Sequence, residues 1–192
     1  PNTNPPALTQ QLLQDKYDIA AQSSYANYSF FMGASNDNIE EIKKVDPSII
    51  CGVKIFMGSS TGNMLVDNLK SLEAIFQHAP TLIATHCEDE HTINQNYQKF
   101  EAKYGENIPI ECHPLIRDVD ACYLSSTLAK SLAEKFGSRL HILHISTAKE
   151  LALFNNTTPL KDKKITSEVC VHHLWFDGLD YLTLGSKIKC NP

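Results

Sequence analysis

Apolar and polar positions along this chain fall into blocks whose period changes. Helical spacing runs through "ALTQQLLQDKYDIAAQSS", and the short apolar stretch "YSFFMGA" follows it. A polar helix, "NIEEIKKVD", then leads to the apolar run "SIICGVKIFM". "DNLKSLEAIFQHA" sets Leu69, Leu72, Ile75 and Phe76 on one helical face, and Pro80 closes that helix ahead of the strand-like "TLIATHC". Two further helices, "TINQNYQKFEAKYG" and "DVDACYLSSTLAKSLAEKFG", each end at a glycine suited to a C-terminal cap, and the second runs into "RLHILHIS". "TAKELALFNN" and "KITSEVCVHHLWF" form the last unit. About five strands separated by helices predict an α/β fold with parallel pairing. No internal repeat, low-complexity tract or linker divides the chain, so residues 1–192 are expected to form a single domain.

An open doubly wound sheet and part of an eight-stranded barrel share this rhythm. The G-x-G-x-x-G turn expected of a dinucleotide-binding sheet is absent from the sequence. Polar chemistry instead gathers at strand ends. Lys54 lies in the second predicted strand, His86 ends the third, His144 ends the fourth, and Asn191 follows the fifth. Parallel barrels place their active sites at that C-terminal rim.

Lys54 sits among Val53, Ile55, Phe56 and Met57, where an ammonium is costly to bury. It could snorkel, pair with a carboxylate, lose its proton or be chemically converted. Conversion fits the neighbours, because an amine that takes up carbon dioxide becomes a two-oxygen anion able to bridge two metal ions. His86 and His144, ending successive strands, would converge on one rim as neutral imidazole ligands for zinc or a similar ion. A lone histidine at either position would more often be structural. His172 and His173 are adjacent and would face opposite ways on a strand, so they are not expected to chelate one metal together. The acidic "CEDE" after His86 fits a solvated loop about as well as a metal's surroundings.

Composition narrows the partners. The chain has 192 residues, 42% of them hydrophobic and 20% charged, which suits a globular protein with one sizeable core. Seventeen basic against 22 acidic residues, with the signs interspersed, give a net charge of -5 and no surface for nucleic acid or an anionic membrane. No apolar run approaches a membrane span, and "PNTNPPALTQQ" lacks the features of a signal peptide, so a cytoplasmic protein with a small-molecule substrate is expected. A homo-oligomer is left open. The six cysteines are scattered without a C-x-x-C pair, which favours reduced, buried thiols over disulfides or a zinc ribbon.

"PNTNPP", "VKIFMGSS", "ATHCED", "HILHIST", "SEVCVHHL" and "KCNP" occur in the order and rough spacing of the cyclic amidohydrolases. They most closely resemble dihydroorotases of the longer, class I-like type. The resemblance covers nearly the whole chain and implies a (β/α)8 barrel, of which about five βα units are represented, with a binuclear zinc site. It implies that Lys54 is the carboxylated bridging lysine and that His86 and His144 are metal ligands. It also implies that Asn2 and Asn191 bind substrate. Two departures stand out: many class I members carry aspartate at the position of Lys54, and the family's "TPHHL" reads "CVHHL" here. The family's His-x-His pair and its catalytic aspartate are expected before and after this chain, which would make it the central part of a longer protein. No catalytic residue is then expected within residues 1–192. The chain alone should be inactive and bind zinc weakly or not at all, whereas a complete site would hold two ions.

The implied reaction is reversible hydrolysis of dihydroorotate to N-carbamoyl-L-aspartate in pyrimidine biosynthesis. The alternatives are a hydantoinase or dihydropyrimidinase, which shares the metal chemistry but needs no site for a substrate carboxylate, and a non-catalytic dihydroorotase-like assembly module.

Overall fold

The computed structural model describes residues 2–58 and 63–192. Pro1 of "PNTNPP" and Ser59 and Ser60 of "VKIFMGSS" lie outside the described residues. Five strands, β1 (Phe31–Gly33), β2 (Gly52–Phe56), β3 (Ile83–His86), β4 (Leu140–Ile142) and β5 (Ile165–Ser167), form one sheet in sequence order. All four pairings are parallel. A doubly wound sheet reverses its strand order at a switch point, whereas a barrel adds each strand beside the one before it. The order β1 to β5 is therefore that of a partial barrel.

Helix α1 (Gln10–Ser23) precedes β1, and the helices between the strands are α2 (Ile39–Lys43), α3 (Leu69–His78), α4 (Glu90–Tyr104), α5 (His113–Ile116) and α6 (Val119–Phe136). After β5 come α7 (Val171–Trp175) and α8 (Tyr181–Leu184). Their ends follow side-chain chemistry. Thr9, Asn68, Asp89 and Asp118 accept hydrogen bonds from main-chain N–H groups in the first turns of α1, α3, α4 and α6. The two predicted glycine caps are present: Gly105 ends α4 at φ 64° and Gly137 ends α6 at φ 70°, conformations that cost glycine least. Ala79, held extended ahead of Pro80, stops α3.

Strand alternation gives the sheet two unlike faces. Val53, Ile55, Ile83, Leu140 and Ile142 belong to the hydrophobic core, together with Ile42, Leu72, Ile75, Phe76, Ala129 and Leu132 from the covering helices. The other face carries a row of paired positions, Lys54, Ala84, His141 and Thr166, and above it the pair Phe56 and His86. Apolar side chains thus face the helices, and the titratable ones face the inside of the barrel.

The structure corrects several sequence-based expectations. Leu69 belongs by spacing to the apolar face of α3 but opens the helix and is 52% exposed. "TAKELALFNN" forms a 3-10 helix over Ala148–Leu153 in place of an α-helix. Asn191 does not follow a strand end, because α7, α8 and two 3-10 turns separate it from β5. No helix among the described residues is long and apolar enough to cross a membrane.

Replacing Phe76, which is 1% exposed, by alanine should cost about 3–5 kcal/mol of stability in urea unfolding. Leu69→Ala should stay within about 0.5 kcal/mol, because little apolar surface is lost there.

Candidate metal centre at the sheet rim

Lys54 is held in the middle of β2 with 7% of its surface exposed. Its ammonium has no carboxylate in ion-pair contact among the described residues. Nζ lies 4.1 Å from the centroid of the Phe56 ring and donates to the Ile55 carbonyl at 3.3 Å. Burial is the main reason that its pKa falls to about 7, with Cys87 and Glu168 pulling weakly the other way. A lysine with that pKa presents a substantial fraction of free amine near neutrality.

His86 ends β3 and is brought to the same face as Lys54 by the parallel register. Its Nε2 lies 2.7 Å from Oε2 of Glu88. An ionised carboxylate can only accept, so Nε2 carries the hydrogen and the lone pair of the neutral ring is on Nδ1. That Nδ1 faces His144 Nε2 at 3.2 Å. His144 is not a strand residue, since β4 ends at Ile142, and it adopts φ 42°, the positive-φ conformation. For a non-glycine residue this costs on the order of 1 kcal/mol. Main-chain bonds from Leu143 to Thr85 and from Ile145 to Glu168 keep the segment on the sheet, and the turned backbone lets the ring of His144 meet that of His86.

Glu88 is 0% exposed, and the solvated-loop reading of "CEDE" does not hold for it. Besides His86, it accepts a 2.6 Å hydrogen bond from Arg117, which lies just after α5. Burial alone would raise the Glu88 pKa, but His86 and Arg117 outweigh it and the net shift is downward. Asp89, next in the stretch, caps α4, and Glu90 opens that helix, so the three acidic residues have three different jobs. Gly58 fits against this point: a Cβ there would lie 2.4 Å from the Glu88 carbonyl oxygen and 3.1 Å from its Cβ. Sequence reading missed Arg117, because 29 residues separate it from Glu88 and nothing local marks the pairing.

The donor set fits a metal ion. Two nitrogen ligands on a tetrahedral zinc, each at about 2.0–2.1 Å, would stand about 3.3–3.4 Å apart, close to the 3.2 Å between His86 and His144. A carboxylate behind a ligating histidine is the usual support for such a ring. His144 Nδ1 is buried and has no hydrogen-bond partner among the described residues. Its pKa is lowered to about 4 by burial first, then by His86 and Lys54, which keeps the ring neutral near pH 7. Of the other candidates, Asn2 is exposed in the segment before α1, and Asn191 is exposed near the far end of the chain.

No protein-family model matches the sequence. The whole chain aligns with an allantoinase from Deinococcus radiodurans at 25% identity and with a dihydroorotase from Methanosphaera stadtmanae at 27%, covering 43% of each. A dihydroorotase from Pyrococcus furiosus is 31% identical over 94% of the chain and 36% of its own length. The chain therefore spans about two fifths of the length of these curated relatives. Its fold matches that of an L-hydantoinase (dihydropyrimidinase) from Arthrobacter aurescens with a TM-score of 0.89 over the full chain at 23% identity, covering 43% of that structure. A dihydropyrimidinase from Brevibacillus agri matches with a TM-score of 0.77 over 95% of the chain and 40% of its own, at 18% identity.

Sequence similarity to proteins named dihydroorotase and allantoinase, on a fold shared with hydantoinases, bears out the resemblance read from the motifs: the chain is a relative of the cyclic amidohydrolases. Within that class its named sequence relatives are divided between dihydroorotases and allantoinases.

Arg117→Met should destabilise the protein by about 3–5 kcal/mol in urea, because it removes the cation beside a fully buried carboxylate. A second expectation concerns pH. His144 binds its proton less tightly folded than unfolded, so in metal-free protein its contribution makes stability rise with pH between about 4 and 6.5. Urea midpoints measured across that window should show a shallower rise in His144→Gln than in the parent.

Proposed function

We propose that the protein containing this chain is a metal-dependent cyclic amidohydrolase, and a dihydroorotase within that class. The observation that carries this reading is the meeting of His86 Nδ1 and His144 Nε2 at 3.2 Å, on the same sheet face as a buried, carboxylate-free Lys54. In this reading Lys54, His86 and His144 hold zinc. The bound metal would supply a water acidified toward neutrality and a Lewis acid for a ring carbonyl.

The chain's own residues prepare that site. With a pKa near 7, Lys54 has free amine with which to attack carbon dioxide: a nitrogen–carbon bond forms, a proton leaves, and a buried cation becomes a carbamate. Such an anion offers two oxygens where the ammonium offered none. Glu88 keeps the hydrogen of His86 on Nε2 and thereby directs the Nδ1 lone pair inward, and Arg117 keeps Glu88 ionised. Asn2 and Asn191 are proposed to hold the carboxylate and ring amide of dihydroorotate, which would distinguish it from substrates without a carboxylate. The remaining ligands and the proton-transferring carboxylate would come from outside these residues, and the product of ring opening would be N-carbamoyl-L-aspartate. The small-molecule substrate, a cytoplasmic setting and a role in pyrimidine biosynthesis belong to the same proposal.

A second reading, a hydantoinase- or allantoinase-type cyclic amidase, is favoured by the L-hydantoinase fold match and by the relatives named allantoinase. Hydrolysis by the full-length protein of dihydroorotate, hydantoin, dihydrouracil and allantoin, compared by kcat/KM, separates the two. Preference for dihydroorotate is expected; a preference for allantoin or hydantoin would overturn the narrower reading, and no turnover of any would favour a non-catalytic assembly module.

Lys54 allows a sharper test. Lys54→Ala should lose most activity and bound zinc, because a carbamate at this position would serve as a metal ligand and offset the metal charge. Lys54→Arg should restore neither, since guanidinium stays cationic and cannot form the bridge. A small carboxylic acid added to the alanine variant should recover part of the activity by filling the vacated space. Metal analysis and turnover of Lys54→Arg decide the matter: an active, metal-replete enzyme would mean that Lys54 is a packed or snorkelling lysine.

A further inference from the structure

A second group of metal-type donors lies after β5. On a strand the adjacent His172 and His173 would face opposite ways, but the backbone over Val171–Trp175 is helical. Adjacent residues on a helix diverge by about 100°, not 180°, and the two rings stand 4.3 Å apart, centroid to centroid, edge to face. Cys170, which precedes the helix, completes the group: one donor atom each from Cys170, His172 and His173 lie within 4.8 Å of one another. Cys190 returns to the same place, with its Sγ 3.4 Å from His172 Nε2. All these cysteines are free thiols.

His173 supplies an independent sign that something is to be bound here. Both of its ring nitrogens are buried, and neither has a hydrogen-bond partner among the described residues. Burial, and then the neighbouring His172, lower the His173 pKa against a weaker pull from the Pro192 main chain. An imidazole whose two nitrogens are both buried and unmet carries a desolvation cost that a protein rarely leaves uncompensated.

We propose that Cys170, His172 and His173, with Cys190 as fourth ligand, form a binding site for a zinc-type divalent cation. Two thiolates and two imidazoles are the donor set of tetrahedral structural zinc. Ligand separations in such a site are about 3.3–3.8 Å, from metal–nitrogen distances of about 2.0–2.1 Å and metal–sulfur distances of about 2.3 Å. The Cys190–His172 spacing already matches, and Cys170, His172 and His173, whose donor atoms lie within 4.8 Å of one another, must close by about an ångström on the ion. The ion clips α7 to the segment ending at Cys190. Those two segments wall a cavity of about 710 Å³ that is also lined by His113, Ser146 and Thr147, so the clip sets the shape of this cavity.

The site uses thiolates, which Lys54, His86 and His144 do not, so cobalt(II) reports on it separately from turnover and from the dihydroorotase reading. Titrating the reduced, metal-free protein with Co2+ should produce a near-ultraviolet thiolate-to-cobalt charge-transfer band that saturates at one ion per site. Cys170→Ser should diminish the band and weaken Co2+ at least tenfold in competition with a chelating dye, as should His173→Ala for affinity. His86→Ala and Cys51→Ser, the latter at an exposed cysteine outside the cluster, should keep the full band. If circular dichroism shows Cys170→Ser to be unfolded, the exposed His172→Ala carries the same affinity test. Absence of a thiolate band at saturating Co2+, or a band and affinity unchanged in folded Cys170 and His172 variants, would overturn the proposal.

Discussion

Parallel pairing in strict sequence order is the constraint on which the rest of this structure depends. With each strand laid beside its predecessor, Lys54 is set opposite Ala84 and Phe56 opposite His86, and the period of two sends all four side chains to one face. The opposite face then takes Val53, Ile55, Ile83 and Leu140 into contact with the helices. A slip of one residue in β2 would exchange the faces, burying the lysine among Ile75 and Phe76 and turning Val53 and Ile55 toward the rim. Core and site are thus fixed by the same register, and the hydrophobic half supplies the energy that holds the polar half in place.

Glu88 is the second point of leverage. A carboxylate without solvent contact is expensive unless it is paired and hydrogen-bonded. Here one oxygen meets an imidazole and a guanidinium, while Oε1 has no partner among the described residues. The partners come from β3 and from the segment after α5, so the ion pair ties a strand end to a distant helix pair. The same contact fixes which nitrogen of His86 is free. Stability and preparation for a ligand are therefore one interaction, with Gly58 leaving room for it by having no Cβ.

His144 extends the argument to strain. Its positive φ is unfavourable for a non-glycine residue, and the surroundings hold it. Glu150, itself buried, accepts hydrogen bonds from Ser126 on α6 and from Thr147, and so pins the segment that follows His144 against the helix layer. Backbone geometry, a buried carboxylate and a depressed imidazole pKa all converge on a ring that is neutral and directed at His86.

How much of this was legible in the sequence follows from the range of each cause. Element types, the glycine caps at Gly105 and Gly137, the stop at Pro80 and the parallel order were readable because period and local backbone preference act over a few residues. Lys54 and His86 were readable as candidates because a polar residue in an apolar run is anomalous wherever the run folds. The sequence alone also carried the kinship to cyclic amidohydrolases, through motifs spread along its length. Other features needed the tertiary structure. Arg117 reaches Glu88 across a span that no periodicity records. His144 meets His86 only after its backbone leaves the strand conformation. Local pattern places His172 and His173 on a strand, yet they lie on a helix that brings His172 within reach of Cys190. In each case the deciding contact lies between residues far apart in sequence, and only the folded chain brings them within bonding distance.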